Sequence, residues 1–199
     1  MKRILIRIVM ILASGLCLAP LTAIAQQALV IKPLAERKVA GLPPGPLFWR
    51  IENFAALAQA QAAAGPWALV AESAGKVWLF TLGAAGGSSA GGTRVAEFGP
   101  IPRVVAPQYL LRINEASGAP GSITPVHTHP GSEAFFVLAG EQSIRSPHGL
   151  MRVQPGQPEA GHGADMPMQV SSSGSTDLHS LVMFVVDADR PFSSPAKFP

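Results

Sequence analysis

The chain has 199 residues, with 15 Lys and Arg against 12 Asp and Glu and a single cysteine. Three of the cations, Lys2, Arg3 and Arg7, open an apolar stretch that runs to Ala23-Ile24-Ala25, which is the layout of a secretory signal peptide with a small-residue cleavage site. Cleavage after Ala25 leaves 174 residues carrying twelve charges of each sign, so the sequence pI near 9.4 argues for neither nucleic acid nor anionic lipid as a partner.

An uncleaved anchor is the alternative reading of residues 1–25; with cleavage, the expected location is secreted or periplasmic, without stable membrane contact. Cys17 leaves with the signal segment, and since Leu16 precedes it no lipidation is expected. No disulfide is then available, so stability must come from the core, and the remaining length suits one domain of ordinary size.

Residues 26–51 hold Pro33, Pro43, Pro44 and Pro46 with Gly41 and Gly45, a composition that predicts an extended N-terminal arm. Residues 52–66 read as one short helix, Ala-rich and apolar on one face through Phe54 and Leu57, stopped by Gly65-Pro66. From Trp67 the texture changes to short runs rich in β-branched and aromatic residues, separated by Gly, Pro, Ser and Asn. Strands are expected at 68–72, 77–82, 94–98, 108–114, 124–129, 134–139, 142–145, 150–153, 168–172 and 178–186. Ser73-Ala74-Gly75 and Pro147-His148-Gly149 read as hairpin turns. Residues 83–92 read as a flexible Gly/Ala/Ser surface loop, and 191–199 as a tail along the outside of the domain. The fold class is therefore mainly β, an antiparallel barrel or sandwich spanning 67–190.

The informative stretch runs from Gly121 to Gly140 with the spacing G-x5-H-x-H-x3-E-x6-G. Side chains alternate along a strand, so His127 and His129 point the same way and can share one ligand. Pro130-Gly131-Ser132 turns the chain, which lets Glu133 return beside them. Two imidazoles and a carboxylate on one sheet suit a divalent Fe, Mn, Ni, Zn or Cu ion and leave coordination positions open.

This spacing resembles the first conserved motif of the cupin superfamily at every defined position, over about 20 residues. The resemblance implies a cupin-type antiparallel jelly-roll β-barrel, with His127, His129 and Glu133 as ligands of a metal inside it. The family's second motif, which supplies a third histidine, is degraded here. His162 stands where its proline is usual, and Pro167 or Met168 falls where its histidine would be. Three readings stay open: His162 as a substitute ligand, Met168 as a thioether ligand favouring Cu(I), or a site with only three protein ligands or none.

His148 and His179 read as surface or satisfied polar residues, and Phe135, Phe136, Leu138, Leu181, Met183 and Phe184 as barrel wall and core. Tyr109, Arg112 and Gln142 lie on strands able to face the cavity. The run from Leu47 to Ala196 also resembles a group of exported bacterial cupins, a likeness that implies location but no substrate.

Three roles follow as expectations: a metal-dependent enzyme for a small oxygen-rich molecule, a non-catalytic module that binds a metal or small ligand for sensing, storage or delivery, and a structural role as a homodimer.

Overall fold

A computed structural model describes residues 27–199, so the signal segment and its cleavage site after Ala25 lie outside the described residues. The elements in chain order are β1 (Val30–Val39), β2 (Phe48–Phe54), α1 (Leu57–Ala63), β3 (Ala68–Ser73), β4 (Lys76–Gly83), β5 (Thr93–Phe98), β6 (Tyr109–Gly118) and β7 (His127–Thr128). They continue with β8 (Gly131–Ala139), β9 (Gln142–Ser146), β10 (Gly149–Val153), β11 (Pro158–His162), β12 (Gln169–Ser172), β13 (Leu178–Asp187) and β14 (Ser194–Pro195). No described helix is long and apolar enough to cross a membrane.

The centre is a five-stranded antiparallel sheet in the order β1-β6-β13-β8-β11. One face of it closes a jelly-roll barrel with a second wall, β10-β9-β12. That wall is extended by residues 122–128, which bond to β12 and its approach (Thr124 N to Val170 O, 2.9 Å; His127 N to Met168 O, 3.0 Å), and then by β14 on β7. The other face carries a third sheet, β3-β4-β2-β5, whose far side is covered by α1 through Ala60.

The central sheet is therefore buried on both sides, and this explains the uninterrupted apolar runs of β8 and β13. Alternation sorts them. Phe135, Val137, Val182, Phe184 and Val186 point into the barrel, where they pack with Ile144, Val153, Met168 and Val170. Ala134, Phe136, Leu181, Met183 and Val185 point the other way, against Trp49, Trp78, Phe80 and Leu82 of the third sheet.

Three expectations change. The arm at 26–51 is not free chain: Val30–Val39 is the edge strand of the central sheet, and β2 begins at Phe48. An edge position tolerates Pro33, because a ring nitrogen without hydrogen costs nothing on a side with no ladder partner, and the register shifts beside it. The helix at 52–66 shrinks to Leu57–Ala63, because Glu52 and Asn53 pair with both β4 and β5. Ladder bonds on two sides outweigh the helix propensity of an Ala-rich stretch.

The loop at 83–92 is tied down as well. Glu52, fully buried, accepts bonds from Ser89 N (2.9 Å), Ser89 Oγ (2.6 Å) and Arg50 Nε (3.0 Å), while Arg50 Nη1 donates to Gly86 O at 3.0 Å. Burial opposes ionisation of Glu52, but the bonds from Ser89 and Arg50 more than offset it and hold the carboxyl below its usual range.

Candidate metal centre

β7 and β8 form the frame of the site. His127 and His129 lie on either side of Thr128, and the turn through Pro130 brings Glu133 onto the inner face of β8. Candidate ligand atoms of His127, His129 and Glu133 all lie within 4.8 Å of one another. His129 and Glu133 are buried and His127 is half-buried.

Each imidazole is oriented by a backbone carbonyl. His127 Nδ1 lies 2.8 Å from Pro125 O, and His129 Nδ1 lies 2.5 Å from Phe192 O. A carbonyl oxygen only accepts, so both Nδ1 atoms carry the proton and both Nε2 atoms keep a lone pair for a ligand. This carbonyl support is the arrangement that fixes the tautomer of metal-bound histidines. Phe184 and Phe192 clamp the His129 ring at centroid distances of 4.8 and 4.7 Å.

His129 Nε2 and Glu133 Oε2 are 3.9 Å apart, too long for a hydrogen bond, and that carboxylate oxygen is buried with no partner. They are not an ion pair. Burial pushes the His129 imidazole down to about 4, against the pull of the Phe192 carbonyl, and burial alone pushes Glu133 up to about 8. A buried carboxylate oxygen without a donor and a ligand nitrogen from each of two imidazoles thus lie within 4.8 Å of one another. A cation with bonds of roughly 2.0–2.2 Å to nitrogen and oxygen fits that donor set, and it removes the cost of the orphaned oxygen.

His162 does not join this group. It stands opposite Glu133 in the β11–β8 register, but the register shifts between Glu159 and His162. Gly161 makes the shift possible: its φ is +80°, and a Cβ there would lie 1.4 Å from Glu133 O. Beyond this bulge the charged neighbours of His162 are Glu159 and His148, and its Nδ1 is buried without a partner. Met168 pairs with His127 through the backbone in both directions (3.0 and 2.9 Å), and its side chain packs in the barrel core.

The tail at 191–199 is half exposed, but it is built into the barrel wall and not merely laid along the outside. Ser194 and Pro195 pair with Thr128 and His127, Ala196 N bonds Val126 O at 3.0 Å, and Phe192, Ser193 and Pro195 line the cavity. Arg190 pins the start of the segment through two bonds to Asp165, at 2.7 and 3.0 Å. The Phe192 carbonyl was missing from the sequence reading because a backbone oxygen has no residue signature.

The cavity measures about 450 Å³ and opens beside β1, where Ile31 is half exposed. Asn114, Thr124, Phe135, Val170, Val182 and Phe184 form much of its wall. Of the other expected cavity residues, Arg112 is not among the lining residues; it lies beside them on the same face of β6, bonded to Asn114 Oδ1 at 2.9 Å and stacked 4.3 Å over the Phe192 ring. Gln142 is buried elsewhere, bonded to Ser180 Oγ at 2.7 Å. Tyr109 lines a separate hollow of about 680 Å³ between residues 40–47 and 100–106, away from the histidines.

His148 is exposed. His179 lies 3.1 Å from Glu115 and 3.3 Å from Ser73 Oγ through the same Nε2 atom, and Ser73 Oγ also bonds Glu115. This is no nucleophile relay, since the serine proton is shared with the carboxylate and a base needs its two nitrogens for two different partners.

No protein-family model matches the chain, and neither does any curated protein. Among solved structures it is similar to the DMSP lyase DddQ from Ruegeria pomeroyi DSS-3, at 24% identity over 43% of each chain with a TM-score of 0.38. It is also similar to a cupin superfamily protein from Desulfitobacterium hafniense DCB-2, at 18% identity over 39% of this chain and 68% of that one (TM-score 0.35). A cupin-like protein from Thermotoga maritima MSB8 matches at 12% identity over 44% of this chain and 65% of that one (TM-score 0.40). The match thus spans less than half of the DMSP lyase's own length. The strand order is that of an antiparallel jelly roll, and the His-His-Glu cluster lies within it.

Proposed function

We propose that the chain is an exported metal-binding cupin that holds a divalent first-row metal through His127, His129 and Glu133 and offers it to a small molecule in the barrel. The observation that carries this reading is the buried Oε2 of Glu133, unpartnered and facing two imidazoles whose tautomers leave Nε2 free. The signal-like segment at residues 1–25 supports export. A metal held there would supply Lewis acidity to an oxygen or nitrogen of the bound molecule. The chain's own part is to orient both imidazoles, exclude water from Glu133 and shape the apolar cavity.

A second reading, a binding module without chemistry, is favoured by one observation. Apart from the three candidate ligands, no acid, lysine, arginine, tyrosine or further histidine is among the described residues that line the cavity. Proton transfer would then fall to the ligands, the metal or the substrate itself.

Elemental analysis tests the metal reading on protein produced from the full chain and purified without chelator or nickel resin. Near one equivalent of a single transition metal is expected, with less than a tenth of it in a His127→Ala/His129→Ala variant. Equal metal in both, or none in either after reconstitution, refutes the site.

A further inference from the structure

The walls of the cavity narrow the kind of molecule it takes. Around the metal ligands the lining is apolar on nearly every side: Phe135, Phe184 and Phe192 supply rings, while Val126, Val170 and Val182 supply branched aliphatic surface. The few polar groups are already engaged or sit at one end. Thr124 Oγ1 accepts from Val170 N at 3.0 Å and keeps its hydroxyl proton, and Asn114 Oδ1 accepts from Arg112 Nε, which leaves the Asn114 amide nitrogen and the hydroxyls of Thr124 and the exposed Ser193 as the side-chain donors available to a ligand. A sugar or a phosphorylated compound would leave several hydroxyls or charges unpaired against these walls, each at a cost in binding.

Charge points the same way. A divalent ion beside one carboxylate leaves the ligand end net positive, and Arg112 stands just behind Phe192 and Asn114, 3.5 Å from the partly exposed Glu36. Among the described residues no lysine or arginine lines the cavity to hold a second anionic group.

Resting on the metal reading above, we infer that the barrel binds a small apolar organic acid. Its single anionic oxygen head faces the metal and Asn114, and its aromatic or branched aliphatic body lies among Phe135, Val170, Val182 and Phe184. This replaces the expectation of an oxygen-rich substrate. A body of this kind gains from the burial of its apolar surface, part of which is offset by the cost of immobilising it.

The test uses the full chain loaded with Co(II), whose visible spectrum reports ligand exchange at the metal, with 3-phenylpropionate, acetate and gluconate as probes. 3-Phenylpropionate is expected to bind at least tenfold tighter than acetate or gluconate. Ile31→Glu, on the exposed rim, is expected to weaken it at least tenfold while cobalt uptake is unchanged. Gluconate binding as tightly as 3-phenylpropionate, with cobalt in place, overturns the inference and leaves the metal reading standing. Thermal shifts of the metal-free protein separate the two ideas from the other side. If cobalt is not taken up but 3-phenylpropionate still stabilises the fold and gluconate does not, the apolar site stands and the metal reading fails. If neither probe shifts the metal-free protein and cobalt is not taken up, both fail.

Discussion

The two faces of the central sheet are built from the same two strands and serve opposite ends. On the outer face, Phe136, Leu181, Met183 and Val185 fill the space against Trp49, Trp78 and Phe80, and the unpartnered side-chain polar atoms among the described residues on that side are Trp49 Nε1 and Ser132 Oγ. On the inner face, Phe135, Val182 and Phe184 stop short of filling the barrel, and Glu133 keeps a buried oxygen without a donor. One strand, β8, carries both patterns at alternate positions, so a single stretch of sequence supplies stability on one side and an unfinished polar site on the other. The outer face holds the sheet rigid, which lets the inner face keep groups that would otherwise relax.

The contrast is sharpest in truncation. Phe136→Ala should cost about 3–5 kcal/mol of unfolding free energy, as expected for emptying a packed core. Phe135→Ala should cost about 1 kcal/mol less, because that ring already borders a void and makes fewer contacts. Urea denaturation of the two variants measures this, and equal losses would break the distinction between the faces.

A smaller effect is expected from pH. The Glu133 carboxyl, raised to about 8 in the fold, holds its proton longer than in the unfolded chain, so its contribution to stability falls as pH rises from about 4.5 to 8. His129, lowered to about 4, contributes in the opposite sense, with stability rising from about pH 4 to 6.5. The two oppose each other up to about 6.5, and above it only the Glu133 loss remains. Metal-free protein should therefore lose stability between pH 6.5 and 8, and Glu133→Gln should abolish that loss, raising the melting midpoint at pH 8.5 by roughly 3 °C or more. Saturating metal should reverse the ranking. Calorimetry at pH 6.5 and 8.5, with and without metal, checks both signs.

The smallest effect belongs to the outer rim, where Ser73 bonds Glu115 beside His179. These groups are partly solvated, so Ser73→Ala should cost less than about 1 kcal/mol and leave metal content unchanged. A loss of metal in that variant would couple the two faces.

What the sequence made legible follows the same division. The H-x-H-x3-E spacing placed three side chains together, because strand alternation and a short turn are local rules, and the structure brings those three within ligand range. The strands from 67 onward were legible where β-branched runs met turn residues. The edge strand β1 was hidden because Pro33 and three further prolines read as free chain, and β2 because Glu52 and Asn53 precede an Ala-rich run. The bulge at Gly161, which carries His162 away from the cluster, depends on how close the β8 backbone approaches. The engagement of Phe192 depends on a carbonyl. Neither is encoded in a residue type at a fixed spacing.

That carbonyl has a consequence for how the site is filled. His129 is oriented by an oxygen 63 residues further along the chain. A ribosome delivers the two histidines and the glutamate well before it delivers Phe192. Until the later segment docks, the His129 imidazole lacks its carbonyl and can offer either nitrogen, so an ion captured then would be chosen by abundance and intrinsic affinity, with copper and zinc outcompeting manganese and iron. Discrimination by geometry begins only when β14 closes over the turn. Any metal the site takes up would therefore record the compartment in which folding was completed as much as the preferences of the three side chains.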